Sequence, residues 1–369
     1  MPRTSSASIA QRIAAARLER QFLLDTPHKT PADVVRALVA VQSQDYFGGK
    51  WAIGMRSSGL TEAAIDDAHD RGEILRTHVL RPTWHFVAPE DLAWMLTLTG
   101  PRIAKILSSY NSRLGIDAAV IRKSHRTIEK ALTKLGHLTR AELREALDSA
   151  GIDTAGTQRL AHLVMQAEVD GIVCSGARKG KNSTYALVSE RAPRPRLLSR
   201  DESLGELALR YFATRAPASV HDFSWWSGLT IGDCRRAVEV AGNELTTLTL
   251  DGKNFVAPSN FELPTRIPDV AHMLPNYDEY FIGFRDRSAI GERMKSHALV
   301  TGGTSLIAHI VEINGQIVGG WKRLISGAAL ELRFDIPMKL TRTEGAQVVE
   351  QVKRLETFLG IRAVVAGLP

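Results

Sequence analysis

The sequence predicts an α+β protein in which three similar helix–helix–hairpin units precede a β-rich C-terminal domain. Hydroxyl residues followed three positions later by Asp or Glu, which mark helix starts, occur at Thr30, Thr139 and Ser219. A second helical pattern follows each and ends near a glycine, at Gly72, Gly171 and Gly242. Two short strand-like runs around a turn come next. From about residue 262 the apolar period changes from helical to alternating.

Two helices followed by a β-hairpin outline a winged helix-turn-helix motif. We therefore predict three tandem winged helix-turn-helix units, at residues 1–98, 99–190 and 200–262, with a Pro/Arg-rich connector at 188–203. The distance from helix start to glycine shortens along the chain. The first unit is therefore expected to carry an insertion between its two helices, and that insertion contains Gln42, Ser43 and Gln44.

Residues 263–369 are predicted to form a β-barrel-like domain or a curled sheet with a covering helix. Asn314-Gly315 between two apolar runs indicates a β-hairpin. A helix is expected from about Thr343 to Leu359, ending at Gly360. The Gly-rich stretch 301–306 lacks the lysine and the strand–loop–helix context of a phosphate-binding loop, so it is interpreted as a turn.

Composition excludes some classes of protein. No run of about 18 apolar residues occurs, and the N-terminus lacks the apolar core of a signal peptide. The two cysteines, Cys174 and Cys234, are 60 positions apart without a Cys/His ligand cluster, so neither a metal site nor a cofactor is expected. A cytoplasmic, nucleoid-associated location is expected. The net charge of +7 permits nucleic-acid binding without establishing it.

The stretch LVAVQSQDYFGG at 38–49 raises a chemical question, because it places two glutamines around a serine at the exit of a predicted helix. Gln42 and Gln44 are uncharged and are poor general bases. From spacing alone, they could cap the preceding helix or bond to the Gly48-Gly49 turn. They could also orient a water molecule through their amide groups.

The strongest basic cluster is RKGKNSTY at 178–185, on a predicted hairpin tip. A cationic wing there could follow DNA phosphates or enter a groove. A solvated turn is the alternative, since Lys and Gly are common in turns. The predicted DNA-binding residues are Arg178, Lys179, Lys181 and Asn182.

Two further stretches combine aromatic and charged residues. LPNYDEYFIGFRDRS at 274–288 could form ion pairs at a domain junction, which we favour, or supply a carboxylate to an active site. Residues 80–95 contain Trp84 and His85 on a predicted strand, where an aromatic ring could stack on DNA. The scattered histidines are interpreted as structural residues.

Four stretches carry a family resemblance: VQSQDY at 41–46, RPTWHFVAPEDLAWM at 81–95, DGIVCSGARKGKNSTYALV at 170–188 and LPNYDEYFIGFRDR at 274–287. Through them the chain resembles the winged-helix DNA glycosylases of the AlkZ and YcaQ type over almost its whole length. The Q-x-Q pattern is the most specific of these motifs. Glutamine at its second position, Gln44, is similar to the AlkZ branch, whereas the YcaQ branch has Asp there.

The resemblance implies a monomeric enzyme that excises N7-alkylated purines from double-stranded DNA, including those in interstrand crosslinks. It implies that Gln42 and Gln44 lie at the catalytic centre, and it points to a role that can include antibiotic self-resistance. A crosslinked base is tethered to the other strand, so it cannot be flipped into a pocket. Two alternatives stay open: a non-enzymatic winged-helix DNA-binding protein or regulator, and a C-terminal domain that binds a small ligand or a protein partner.

Overall fold

The computed structural model describes residues 7–156, 158–294, 309–326 and 329–368. The protein has a mixed α+β fold. Helix α1 (Ile9–Arg20) begins at Ser8 with a capping box, in which the Ser8 hydroxyl accepts from the Gln11 N–H and the Gln11 side chain accepts from the Ser8 N–H. Within the described ranges, no helix has the length and apolarity needed to cross a membrane.

Six elements follow α1: three helices, and three strands that form a small antiparallel sheet. They are α2 (Pro31–Leu38), β1 (Ala40–Gln42), α3 (Tyr46–Met55), α4 (Glu62–Arg71), β2 (Leu75–His78) and β3 (Trp84–Val87). The strands are ordered β1-β3-β2. Thr30 caps α2 through a bond from the Asp33 N–H to its hydroxyl. Gly72, which ends α4, has a positive φ of 80°, and glycine adopts this conformation without strain.

The long helix α5 (Leu92–Arg113) leads into a second set of elements and runs across residues 98 and 99. That set is α6 (Ala118–Leu135), β4 (Leu138–Thr139), α7 (Arg140–Ser149), α8 (Arg159–Val169), β5 (Val173–Lys179) and β6 (Asn182–Leu187). The strand order β4-β6-β5 repeats the order of the first sheet. This set has a hydrophobic core of its own, which includes Leu132, Leu143 and Leu163.

A third set follows the short helix α9 (Val188–Arg191). It consists of α10 (Arg200–Arg215), α11 (Val220–Ser227), α12 (Ile231–Ala241), β7 (Leu245–Leu250) and β8 (Lys253–Pro258). A single bridge between Ala218 and Val256 occupies the place of the first short strand. The order helix, short strand, helix, helix, hairpin therefore recurs three times.

This recurrence corrects the expected insertion around Gln42. Thr30 caps the first helix of its set, whereas Thr139 and Ser219 cap the second helices of theirs. The spacing from cap to glycine is longer in the first set because it spans one more helix. Gln42 thus lies on the short strand β1, which corresponds to β4 in the second set, and the stretch is not an insertion.

The C-terminal part is an open sheet. Its elements are β9 (Ala271–Leu274), α13 (Glu279–Ile282), β10 (Ile310–Ile313), β11 (Gln316–Ser326), β12 (Ala329–Asp335), α14 (Arg342–Leu359) and β13 (Ala363–Ala366). The hairpin at Asn314-Gly315 joins β10 to β11, and α14 ends at Gly360, as expected. Stretch 301–306, which was interpreted as a turn, lies outside the described residues.

The predicted barrel does not close. In the described part of the sheet the order is β13-β12-β11-β10-β9, so β9 and β13 are edges rather than partners. Neighbouring helices cover the sheet instead. Trp51 of α3 donates its indole N–H to the Met273 carbonyl at 2.7 Å, and its ring lies 5.0 Å from that of Phe358 on α14. Because these helices bury the apolar side chains of the sheet, the sheet does not need to close into a barrel.

Two hydrophobic cores join parts of the chain that are far apart in sequence. The first combines α2, α3 and α4 with the C-terminal sheet and α14. The first core also includes one face of the β1-β3-β2 sheet, through Val41 and Phe86. The second core combines the opposite face of that sheet with α5, α10, α11 and α12. The sheet that carries Gln42 is therefore buried between the third set and the C-terminal part.

Candidate active site

Both motif glutamines lie next to strand β3. Gln42, the last residue of β1, lies opposite His85, and Gln44 lies in the bend that follows. The Trp84 N–H donates to Gln44 Oε1 at 3.3 Å, and the Ser43 N–H donates to the Trp84 carbonyl at 2.8 Å. Gln42 is 7 % exposed, whereas Gln44 is exposed. The motif therefore presents one nearly buried and one accessible amide at the same edge of the sheet.

The backbone at Gln42 is fixed by a buried carboxylate from the C-terminal part. The Gln42 N–H points away from β3 and donates to Glu279 Oε1 at 3.0 Å. The other oxygen of Glu279 accepts from Arg215 at 2.7 Å and from the indole N–H of Trp226 at 2.8 Å. Arg215 also donates to the carbonyl of Leu38, the last residue of α2. Glu279 thus connects β1, α10 and α11 at one point.

A partly buried arginine fixes the other side of the motif. Arg76 on β2 donates to the Ser43 carbonyl through Nε at 3.1 Å and Nη2 at 2.9 Å. Its guanidinium lies 4.3 Å from the Trp84 ring centre, a cation–π distance. Burial lowers the pKa of Arg76, and nearby Glu168 opposes this shift. The Ser43 carbonyl, which lies between the two glutamines, is therefore held by a side chain of β2.

His85 is buried beside Gln42 and is neutral. Its Nδ1 lies 2.9 Å from the Thr83 carbonyl, so this nitrogen carries the proton and donates. Burial, assisted by the charge of Arg81, lowers the pKa of His85 to about 3. The imidazole Nε2 has no hydrogen-bond partner among the described residues.

Asp45 places a carboxylate directly after the motif. It precedes α3 without making a side-chain capping bond, and it is partly exposed. Its Oδ2 lies 3.9 Å from Nε2 of His309. Burial lowers the pKa of His309 to about 4, so no cation neutralises Asp45 through this contact at neutral pH.

The predicted DNA-binding hairpin is only partly free. Arg178 is bound to α4: it lies 2.8 Å from Asp66 and 2.8 Å from Asp70, and its N–H also donates to Asp70. Lys179 pairs with Glu142 at 2.8 Å. Lys181 and Asn182 are exposed at the turn, and within the described ranges Lys181 has no ion pair. The four residues share a hairpin, but two of the three cations are already paired within the protein.

The structure brings only part of the predicted set together. Gln42 at the end of β1 and Gln44 in the bend after it both lie next to β3, while the basic hairpin belongs to a different sheet. The stretch 274–288 makes the expected junction ion pairs, including a buried pair between Arg56 and Asp278 at 2.8 Å. Sequence reasoning missed the role of Glu279, although it lies in that stretch. It also missed that His85 faces Gln42, which the alternation along β3 could have indicated.

In the part of the chain that the structure describes, no cluster of three or more His, Cys, Asp or Glu side chains is arranged to bind a metal. Cys174 and Cys234 are buried and unpaired. Burial raises the pKa of each thiol to about 12, so both are protonated and unreactive at neutral pH.

Comparison with known proteins gives one consistent result. The family model described as DNA glycosylase AlkZ-like matches residues 35–358. An interstrand DNA cross-link repair glycosylase from Streptomyces sahachiroi is 23% identical over 359 residues, which cover 92% of this chain and 95% of that protein. The solved structure of Streptomyces sahachiroi DNA glycosylase AlkZ superposes with a TM-score of 0.76 at 19% identity, covering 98% of this chain and 100% of that chain.

Proposed function

The chain belongs to the AlkZ-like DNA glycosylase family, and from this premise we propose that it hydrolyses the N-glycosidic bond of cationic N7-alkylated purines in double-stranded DNA. The observation that carries the proposal is the pair of uncharged amides at the edge of one sheet. In the described residues, neither Gln42 nor Gln44 donates its side-chain amide to a carboxylate. The two motif side chains therefore offer dipoles rather than a general base.

Such a site matches the needs of a charged leaving group. An N7-alkylated purine already carries a positive charge, so its departure requires no proton from the enzyme. What the enzyme supplies is a correctly placed water molecule and stabilisation of the oxocarbenium-like sugar. Amide C=O groups accept from the water, and amide N–H groups set its direction. Neutral lesions and normal bases should not react, because their departing bases need protonation.

Asp45 gives the proposed site its negative charge. With Gln44 at the second motif position, neither motif side chain stabilises the sugar cation as an anion. The carboxylate of Asp45 follows in sequence and is neutralised by no cation within 4 Å among the described residues. A nearby carboxylate stabilises positive charge through space without taking part in proton transfer. We assign it this electrostatic role.

Interstrand crosslinks are a second proposed substrate. The related Streptomyces sahachiroi protein is named for crosslink repair. A base tethered to the opposite strand cannot be flipped into a pocket, so the lesion must react while it remains in the duplex. Gln44 is exposed at the bend after β1 and can meet such a lesion at the surface.

We further propose that the three recurring sets are winged helix-turn-helix units, with boundaries at 1–98, 99–190 and 200–262, followed by the C-terminal part at 263–369. In such units a recognition helix usually enters the major groove. In the second set that helix is α8, and none of its residues is exposed. The hairpin turn at Lys181 is the more accessible DNA contact. The cations Arg122, Arg126, Lys130 and Lys134, which recur every fourth residue on α6, offer a further phosphate-binding face.

The test is base release from a duplex that carries one N7-methylguanine, measured for the wild type and the Gln42→Ala/Gln44→Ala double variant. Release by the wild type alone supports the proposal and locates its centre. If the wild type releases nothing from this duplex or from a crosslinked one, the alternative of a non-enzymatic DNA-binding protein or regulator replaces it. Gel filtration with and without DNA tests the proposed monomer.

A further inference from the structure

One face of the β1-β3-β2 sheet carries a row of three polar side chains at the candidate site. Gln42 on β1 lies opposite His85 on β3, and His85 lies opposite Thr77 on β2. Residues directly opposite each other share a face of the sheet, so these side chains are neighbours. His85 and Thr77 are fully buried, although the cores on both sides of the sheet are largely apolar.

Each residue of this row keeps a buried polar atom without a partner among the described residues. These atoms are Gln42 Oε1, His85 Nε2 and Thr77 Oγ1. Unpaired buried polar atoms are uncommon, because each loses its hydrogen bonds to water without replacement. Since Nδ1 of His85 donates to the Thr83 carbonyl, Nε2 carries a lone pair and can only accept. The row therefore contains an acceptor that lacks a donor.

Gln42 is the side chain best placed to supply that donor. The Gln42 N–H goes to Glu279 and the Ser43 N–H goes to Trp84, so Gln42 and His85 form a non-hydrogen-bonded pair. In such pairs the Cα atoms are about 4.5 Å apart and the side chains are at their closest. With the Gln42 oxygen turned inward, two acceptors face each other without a proton. With the NH2 group turned inward, both groups are satisfied.

We propose that His85 is a positioning residue for Gln42: its Nε2 accepts a hydrogen bond from the Gln42 side-chain NH2 and turns the Gln42 carbonyl oxygen toward the substrate. The outward oxygen accepts from the attacking water, and its partial negative charge faces the developing sugar cation. This inference rests on the proposed glycosylase function. It explains why a buried neutral histidine lies directly behind a catalytic amide.

Arg81 is the competing donor. Its Nε and Nη2 atoms also have no partner in the described structure, and its charge lowers the pKa of His85. A bond from Arg81 to Nε2 would leave the Gln42 amide free to rotate. If Gln42 is the donor, the effect of His85 on the rate of base release depends on Gln42. If Arg81 is the donor, it does not, and this difference can be measured.

Two substitutions at His85 separate its two nitrogens. In His85→Gln the side-chain amide reaches the position of Nε2, so an acceptor is retained there. In His85→Asn the amide reaches the position of Nδ1, so the bond to Thr83 is retained and the Nε2 acceptor is lost. We expect His85→Asn to slow single-turnover release of N7-methylguanine about 10- to 100-fold, by analogy with the loss caused by replacing residues that orient metal ligands. His85→Gln should stay within about fivefold of the wild type, and DNA affinity should be unchanged in both.

A double-mutant cycle then tests the route of the effect. In the Gln42→Ala background, His85→Asn should cost no more than about twofold, because a residue that acts through Gln42 has nothing left to orient. Equal losses in both backgrounds, or a His85→Gln variant as slow as His85→Asn with wild-type melting, would overturn the proposal. Failure of the wild type itself to release base would instead overturn the proposed function.

A measurement on the wild type keeps the proposal testable if the His85 variants do not fold. The 15N resonance of His85 Nε2 reports whether this atom accepts a hydrogen bond. It should shift toward the value of a free imidazole acceptor in Gln42→Ala and stay in place in the matched Gln44→Ala variant. An Nε2 resonance that is the same in Gln42→Ala and in the wild type would show that Gln42 is not the donor.

Discussion

The backbone N–H of Gln42 and the carboxylate of Glu279, 237 positions apart in sequence, are joined by a buried hydrogen bond of 3.0 Å. The same carboxylate forms a buried ion pair with Arg215 at 2.7 Å. Through these bonds the C-terminal part of the chain fixes the strand that carries the proposed catalytic amides. Because all the partners are buried, the position of Gln42 depends on an intact Glu279.

Glu279→Gln tests this dependence. Removing the charge leaves Arg215 buried without a counter-ion, which typically costs about 3–5 kcal/mol of unfolding free energy. We expect slower base release even where the variant is folded, and denaturant unfolding measures the loss of stability. The matched control is Asp286→Asn, whose partner Lys253 is exposed and which should cost no more than about 1 kcal/mol. Equal losses in the two variants would contradict the role of Glu279.

The two glutamines should affect the rate and leave binding intact. Gln42→Ala and Gln44→Ala remove amide groups that act on the water and the sugar, so each should slow base release about 100-fold or more. DNA affinity should change little, because most of it comes from phosphate contacts. Binding titrations and single-turnover rates separate the two effects. The control is Gln347→Ala, which removes an amide on α14 that donates to Asp269; it should retain the wild-type rate.

Asp45→Asn tests the proposed electrostatic role. The substitution keeps the shape of the side chain and removes its charge, so the oxocarbenium-like transition state loses a favourable interaction. We expect a decrease of about tenfold in the single-turnover rate, corresponding to about 1.4 kcal/mol. Stability should change little, because Asp45 makes no capping bond to α3. An unchanged rate would show that Asp45 is too far away or too well solvated to matter.

Lys181 and Arg178 should behave differently although they lie on one hairpin. Lys181 is exposed and unpaired among the described residues, so Lys181→Ala should weaken binding to all duplexes and reduce the slope of log affinity against log salt by about 0.9. Arg178→Ala should instead lower stability, because it leaves Asp70 without its arginine and Asp66 with Lys50 as its remaining cationic partner. Titrations at several salt concentrations and melting curves distinguish the two outcomes. A large affinity loss in Arg178→Ala without destabilisation would mean that its ion pairs open to bind DNA.

The rate of base release should not depend on pH between about pH 6 and pH 8. Amide side chains do not titrate there, and burial lowers the pKa of His85 to about 3 and that of His309 to about 4. The unfolded chain takes up these protons at the ordinary value near 6.5. Stability should therefore decrease as the pH falls from about 6.5 toward the folded pKa values. A rate profile with a midpoint near pH 6.5 would indicate a titrating general base and contradict the amide mechanism.

Local features of the fold could be predicted from the sequence because they depend on nearby residues. Helix starts at Thr30, Thr139 and Ser219 follow from side chains that bond to N–H groups three positions later. The hairpin at Asn314-Gly315 follows from turn geometry. The sequence did not show whether each start begins the first or the second helix of its set. The insertion expected at Gln42 was wrong for that reason.

Contacts between distant parts of the chain were decided by the tertiary structure. The sequence predicted that Arg178 contacts DNA. In the structure, α4 places Asp66 and Asp70 against it, although Asp70 is 108 positions away in the chain. The predicted barrel stayed open because α3 and α14 cover the sheet that closure would otherwise have to bury. Neither the ion pairs of Arg178 nor the covering of the sheet by α3 and α14 leaves a periodic pattern in the sequence.

The sequence alone determined the family, the helix starts at Thr30, Thr139 and Ser219, the hairpin at Asn314-Gly315, and the presence of two uncharged amides around Ser43. The tertiary structure decided what surrounds those amides: Glu279 behind the backbone, Arg76 on the intervening carbonyl and His85 opposite the side chain. The physical reason is the range of the interactions. Propensity and capping act over a few residues, whereas a buried hydrogen bond forms only after separate cores have packed and brought donor and acceptor within about 3 Å.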